Sequence, residues 1–249
     1  MTIKTSGIII RKLNFGEADK LLTILTRDRG KIRVVAKGVR RPRAKLVGFA
    51  DMFCYNELML AEGRNLDIVT AASTIERFVG NDTPLERIGL MYYLCELADK
   101  LIEETQEVPG SFELLREMLH YIKNHDTNSG VVKSYFEMKM LLMLGYSPEL
   151  YKCATDDSPL APGDDLSFSA RLGGILQGAK RAQDDFARSI SENTLKFLRI
   201  LQRYPLEEAT KITASLDVLQ QVSAVMSDSM EYVLEVRPKS LSVLDELGG

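Results

Sequence analysis

Along the first 80 residues, apolar and polar positions alternate in short runs separated by turn residues, which is the pattern of β-strands rather than helices. Five such runs stand out, at residues 7–10, 21–26, 32–36, 52–60 and 66–71. Arg27-Asp28-Arg29-Gly30 and Glu62-Gly63-Arg64-Asn65 place an acid or Asn and a Gly between apolar runs, the composition of hairpin turns. Five short strands without a long helix predict a small barrel. The five-stranded OB-fold is the commonest such barrel that binds oligonucleotides.

After Gly80 the period changes to that of helices. Thr83-Pro84-Leu85-Glu86 reads as a helix start with a capping box, and Leu85, Ile88, Tyr92, Cys95, Ala98 and Ile102 fall on one face of the helix that follows. A second helix over 112–122 buries Phe112, Leu115, Leu119 and Ile122. A third over 131–144 buries Val132, Tyr135, Phe136, Met140 and Leu144, and leaves Lys133, Glu137 and Lys139 on its wetter side. Between 146 and 182 the helical period vanishes while Pro and Gly accumulate, so this stretch is an irregular insertion, either a small sub-domain or a mobile excursion. Helical pattern resumes at 191–203 and continues over 206–235, with Ile212 and Leu216 in the apolar stripe. The expectation is an α+β protein: an OB-fold barrel over 1–80 and a helical domain over 81–249 with the insertion inside it.

Composition adds little until it is localised. With 249 residues, 45% hydrophobic and 27% charged, the chain suits an ordinary globular protein of one or two domains. No apolar run reaches membrane-spanning length and no signal peptide is evident, so a cytoplasmic location is expected. The net charge of −3 hides a strong asymmetry: the first 80 residues carry +7 and the remainder −10. Within residues 27–45 stand nine cations, Arg27, Arg29, Lys31, Arg33, Lys37, Arg40, Arg41, Arg43 and Lys45, against the single anion Asp28. Cations at that density repel one another unless phosphates or another anionic surface neutralise them, which points to nucleic acid. Arg29, Lys31 and Arg33 alternate along a strand and Arg40-Arg41-Pro42-Arg43 follows in a loop, so the two groups are expected to form one groove. Phe15, Phe49, Phe53 and Tyr55 are the nearby rings that could stack on bases, most of them destined for the core.

Other chemistries find less support. Cys54, Cys95 and Cys153 are too scattered for a disulfide framework, and His120 and His125 sit in or beside a helical pattern. A metal-dependent nuclease could use the paired acids Asp156-Asp157, Asp164-Asp165 and Asp184-Asp185, although adjacent residues rarely aim at one site. No phosphate-binding G-x-x-x-x-G-K-[ST] or G-x-G-x-x-G occurs. A groove that reads only the backbone also suits an RNA- or ribosome-associated OB protein.

Gly16-Glu17-Ala18-Asp19-Lys20, Thr26-Arg27-Asp28-Arg29-Gly30-Lys31 and Ala36-Lys37-Gly38-Val39-Arg40-Arg41-Pro42-Arg43, in this order, resemble the N-terminal barrel of the bacterial recombination mediator family RecO. Arg64-Asn65-Leu66-Asp67-Ile68, residues 136–144 with Gly145-Tyr146-Ser147-Pro148-Glu149 behind them, and Arg237-Pro238-Lys239-Ser240-Leu241 extend the likeness over most of the chain. The resemblance implies an OB-fold joined to a helical domain, without enzymatic activity, that binds single- and double-stranded DNA and anneals complementary strands. It implies partnership with RecR at DNA coated by single-strand-binding protein, whose acidic C-terminal tail the helical domain receives, so that RecA is loaded. An apolar pocket edged by cations would receive that tail, and Lys133, Tyr135, Phe136, Lys139 and Met140 on the third helix are its candidates.

Many members of that family carry zinc on two Cys-x-x-Cys pairs in the insertion. Here Cys153-Ala154-Thr155-Asp156 keeps one cysteine of the first pair, and Gln177 and Lys180 stand where the second pair is expected. One thiolate, a carboxylate, an amide and an ammonium do not make a tetrahedral zinc site, so no metal cofactor is expected.

Overall fold

The computed structural model describes residues 2–41, 48–126, 128–161, 163 and 165–246. Arg43, Lys45 and Asp164 therefore lie outside the described residues.

Five strands, β1 (Thr2–Phe15), β2 (Asp19–Thr26), β3 (Lys31–Ala36), β4 (Cys54–Ala61) and β5 (Asp67–Arg77), close into a barrel in the order β1-β2-β3-β5-β4, with β3 and β5 parallel. The alternation of the sequence becomes the wall: Ile9, Leu22, Ile24, Ile32, Val34, Leu58, Leu60 and Val69 point inward and form one core with Ala36, Val39, Phe49 and Ala50. The first strand is much longer than the run 7–10. It pairs with β4 over its first half and with β2 over its second, and a register shift between Ile9 and Arg11 lets it bend from one partner to the other. The β2–β3 hairpin turns on Gly30 at φ +63, where a Cβ would meet the carbonyl oxygen of Gln106 at 2.1 Å.

The helices are α1 (Leu85–Leu101), α2 (Ser111–Asn124), α3 (Ser129–Met143), α4 (Glu192–Arg203), α5 (Leu206–Ala209), α6 (Leu216–Leu234) and α7 (Lys239–Glu246). None is long and apolar enough to cross a membrane among the described residues. The first differs from expectation at its start: Pro84 occupies the cap, and the Thr83 hydroxyl accepts from Gly80 N–H instead of closing a capping box. Leu85 and Tyr92 are exposed, while Leu90, Met91, Tyr93, Leu94 and Leu97 are buried with Cys95 and Ala98. With β1, α2 and α7 all packed against α1, no single stripe describes its buried surface. The stretch 206–235 is two helices, not one. The run Lys211-Ile212-Thr213 contains two β-branched residues that favour extended backbone, and Ser215 caps α6 by accepting from Val218 N–H, so Ile212 and Leu216 are exposed.

The insertion is ordered as a four-stranded sheet of β6 (Glu149–Cys153), β7 (Leu166–Ser169), β8 (Gly174–Gln177) and β9 (Arg188–Ile190), in the order β6-β8-β7-β9, with a 3-10 turn at Gly178–Gln183. It is a sub-domain within the helical region, with Cys153, Leu176 and Ala187 as its small core.

Contacts group the chain into two compact units, one of residues 1–125 and 238–249, the other of 126–237. The first unit thus holds the barrel together with α1, α2 and the C-terminal helix α7. That helix is fastened by Glu96, whose carboxylate accepts from Lys239 N–H at 3.0 Å, Ser240 N–H at 2.7 Å and the Ser240 hydroxyl, with Lys100 at 3.0 Å. Partial burial works against the charge, but the donors of Ser240, Lys239 and Lys100 outweigh it and hold the Glu96 pKa at about 2. A carboxylate whose pKa is depressed by folding stabilises the folded form above its ordinary value near 4.5, and that contribution fades as pH falls toward 2. The protection factors of amides over α7, exchange rates relative to the unstructured chain at the same pH, are therefore expected to fall between those limits, and Glu96→Ala is expected to lower them at neutral pH.

Candidate nucleic-acid interface

Among the described residues, the cations of the basic segment fall into two groups. The strand of the segment, β3, separates them by roughly 20 Å, six residues at about 3.3 Å each.

At the β2–β3 hairpin the cations are matched by acids from α1, α2 and the loop between them. Arg27 Nε lies 3.4 Å from Glu113, and Arg33 Nε lies 2.8 Å from Glu104. Lys31 is buried, with its ammonium donating to the carbonyl of Asp99 and lying 3.2 Å from the Asp99 carboxylate. Arg29 is half-buried, and its N–H donates to the Thr26 hydroxyl at 3.0 Å. Arg29, Lys31 and Arg33 were expected to share an exposed face, but Arg29 belongs to the turn and Lys31 is covered.

At the other end of β3 the chain enters a loop fixed onto the β1–β2 hairpin. Gly38 N–H donates to Asp19 at 2.7 Å, Arg40 N–H donates to the carbonyl of Ala18 at 2.9 Å, and the Arg40 guanidinium donates to the carbonyl of Gly16 at 3.3 Å. Lys37, Arg40 and Arg41 are exposed, and among the described residues none of the three has a carboxylate partner. Cations outside the segment adjoin the same hairpin: Lys12 and Lys20 flank Asp51 at 3.0 and 3.7 Å, and Arg11 pairs with Asp99 at 3.2 Å. Partial burial would raise the Asp51 carboxyl, but Lys12 and then Lys20 and Arg77 hold it below the usual carboxylate range. These residues escaped the sequence reading because the length of β1 was not legible.

Of the four candidate rings, three are in the core. Phe49 lies inside the barrel, Phe53 meets Tyr92 edge-on at 4.8 Å, and Tyr55 packs on Phe112 at 5.4 Å. Phe15 alone of the four is exposed, at 47%.

The third helix corrects the placement of the tail pocket. Lys133 and Glu137 are buried and paired at 3.0 Å, and Lys133 also donates to the Ser227 hydroxyl at 3.1 Å. Tyr135, Phe136 and Met140 are buried as well, because α4, α5 and α6 all pack on α3 and leave it no free apolar face. Lys139, half-buried, donates to the carbonyl of Gln202 at 2.9 Å and lies over the Tyr135 ring.

Three of the four positions of the family's zinc site, Cys153, Asp156 and Lys180, come together in the small sheet. Lys180 lies 2.6 Å from the Asp156 carboxylate, donates to the Ser158 hydroxyl at 2.6 Å and sits beside the Cys153 thiol. Gln177 exchanges two hydrogen bonds of 2.8 Å with the backbone of Ala161. The Lys180 hydrogen bond holds Asp156 well below the carboxylate range, and Asp156 in turn raises Lys180. An ammonium at the centre of the ligand set repels a divalent cation, so these residues do not fit zinc. The purified chain is expected to carry far less than one zinc per chain, whereas Asp156→Cys, Gln177→Cys and Lys180→Cys together are expected to bring it close to one. Elemental analysis of both proteins reads the difference.

The Asp184-Asp185 pair is equally unsuited to two-metal chemistry. Asp184 is buried and accepts from the Ser169 hydroxyl at 2.5 Å, while its neighbour Asp185 is exposed. No group of three potential ligands that could hold a metal ion occurs among the described residues.

Comparison with known proteins agrees with the fold. The family description "Recombination protein O N terminal" matches residues 1–78, and "Recombination protein O C terminal" matches residues 83–242. The chain is 35% identical over 245 residues to the DNA repair protein RecO of Dehalococcoides mccartyi (strain 195), covering 98% of this chain and 95% of that one. It is 38% identical over 244 residues to the DNA repair protein RecO of a Roseiflexus species, covering 98% and 85%, and 33% identical over 246 residues to that of Desulforudis audaxviator, covering 98% and 97%. With both halves matched and the likeness running nearly end to end, the chain belongs to the RecO family of DNA repair proteins.

Proposed function

We propose that this protein binds single- and double-stranded DNA through the barrel, at the loop end of β3, and anneals complementary strands without catalysing a covalent step. One observation carries the reading: Lys37, Arg40 and Arg41 are exposed and uncompensated on a loop that hydrogen bonds hold against the β1–β2 hairpin. Phosphates are the ligands that neutralise such a cluster, and backbone contacts of this kind carry no sequence information. Arg43 and Lys45 follow Arg41 in the sequence and belong to the proposed contact set. Arg29 sits near the matched end, and Arg27, Lys31 and Arg33 serve the packing of the barrel on its own helices.

Annealing follows from this chemistry, since cations that screen both backbones lower the repulsion between complementary strands. With no nucleotide-binding motif, the work is done by binding energy. In the mediator role, the protein would act with RecR on DNA coated by single-strand-binding protein and so assist loading of RecA. The acidic tail of that coat protein would need cations beside apolar rings. The second unit offers a cleft of about 750 Å³ lined by Ser147, Pro148, Glu149, Tyr151, Gln202 and Arg203, with Arg199 stacked over Tyr151 at 4.7 Å.

Strand annealing in the presence of single-strand-binding protein tests the proposal. Lys37→Glu, Arg40→Glu and Arg41→Glu combined are expected to slow annealing by at least about tenfold, the scale of two or three lost phosphate contacts. Annealing at the wild-type rate would contradict it. RNA that competes as well as DNA of the same sequence would favour the reading as an RNA-associated barrel.

A further inference from the structure

We infer that Phe15, at the tip of β1, is a stacking platform for an unpaired base of single-stranded DNA, an inference that rests on the DNA-binding reading above. The barrel register sets the surroundings of this ring. Leu22, Ile24, Val34 and Ala36 point into the core, so the alternate residues of β2 and β3 face outward. Leu13 pairs with Leu21, Leu21 with Val35, and Phe15 with Asp19, which places Leu13, Phe15, Leu21 and Val35 on one outer face of the sheet. On that face Leu13 and Phe15 are each 47% exposed, which leaves about half of each apolar side chain open to a ligand.

The hairpin that carries Phe15 is fastened to the loop that carries the uncompensated cations. Asp19, the cross-strand partner of Phe15, accepts from Gly38 N–H, and the carbonyl of Gly16, the next residue, accepts from the Arg40 guanidinium. Lys37 and Arg41 flank these two anchoring residues in the chain. The strand end that carries the ring is therefore tied to the loop that carries the three cations. A phosphodiester against Arg40 would carry its base toward the Phe15 ring, and charge complementarity favours a polyanion over an apolar peptide as the occupant. Single-stranded DNA supplies both partners at once, phosphates for the cations and an unstacked base for the ring. In a duplex the bases are already stacked on one another, so the ring has nothing to receive.

The chain contains no tryptophan, which makes Phe15→Trp a reporter with no background of its own kind. Oligo(dT) is expected to quench its emission saturably, and a duplex of the same length to leave it nearly unchanged. Phe15→Ala, at an exposed position that leaves the core intact, is expected to weaken oligo(dT) binding roughly five- to hundredfold, the range for loss of one base–aromatic stack, and duplex binding by less than about twofold. Unquenched Phe15→Trp emission under conditions where oligo(dT) binds, or an equal effect of Phe15→Ala on both DNA forms, would overturn the stacking role and leave the DNA-binding reading standing. A wild-type chain that bound neither DNA would overturn both.

Discussion

Lys133→Ala is expected to cost about 3–5 kcal/mol of folding stability. Its ammonium is the partner of Glu137, whose side chain has no solvent exposure, and both sit on α3 where α4, α5 and α6 enclose it. Taking the lysine away removes the ammonium that offsets the Glu137 carboxylate in a poorly polarisable interior, where an uncompensated charge is costly. For a chain of this length that loss corresponds to a fall in melting temperature of roughly 6 to 20 °C. The double change Lys133→Met with Glu137→Leu removes both charges while keeping much of the volume, and it is expected to recover most of the loss. The half-exposed Ser227 hydroxyl, which accepts from Lys133, then loses that donor, and water can replace it. Thermal unfolding of the single and double variants checks both statements; equal destabilisation by the two would show that packing, not the unpaired charge, sets the cost.

The same pair shows why part of the helical region was illegible in the sequence. A lysine four residues before a glutamate ordinarily reads as an exposed ion pair along a helix face. What buries it is the packing of helices some 60 to 100 residues further along the chain, which no local period records. The barrel was legible for the opposite reason. One side of each strand faces a common core, so alternation alone placed four of the five strands near their observed positions, while β1 was cut short because its polar outer positions hide its double pairing. The basic segment was located by charge, but its division was not. The acids that neutralise Arg27, Lys31 and Arg33 are Glu113, Asp99 and Glu104, all from beyond the barrel. Likewise the zinc ligands were seen to be missing, but not that Lys180 and Asp156 close on each other in their place.

Replacing Lys37, Arg40 and Arg41 by Gln is expected to lower affinity for single-stranded DNA about a hundredfold at 0.1 M salt. Each phosphate contact on a single strand releases about 0.7 of a counterion, so three contacts steepen the dependence of log K on log salt by about 2, worth about two decades between 1 M and 0.1 M. Arg27→Gln with Arg33→Gln removes two cations of equal formal charge from the same segment. Their carboxylate partners at 3.4 and 2.8 Å already neutralise them, so DNA affinity is expected to change by less than about threefold, and stability by the ~0–1 kcal/mol typical of each exposed pair.

The contrast between those two variants isolates the central claim, that one end of β3 meets DNA while the other is occupied by the protein's own acids. The measurement is oligo(dT) affinity over a salt series for wild type, Lys37/Arg40/Arg41→Gln and Arg27/Arg33→Gln. The account predicts a salt slope flatter by about 2 for the loop variant and an unchanged slope for the hairpin variant. An unchanged slope for the loop variant, or an equal flattening per cation in both, would contradict it.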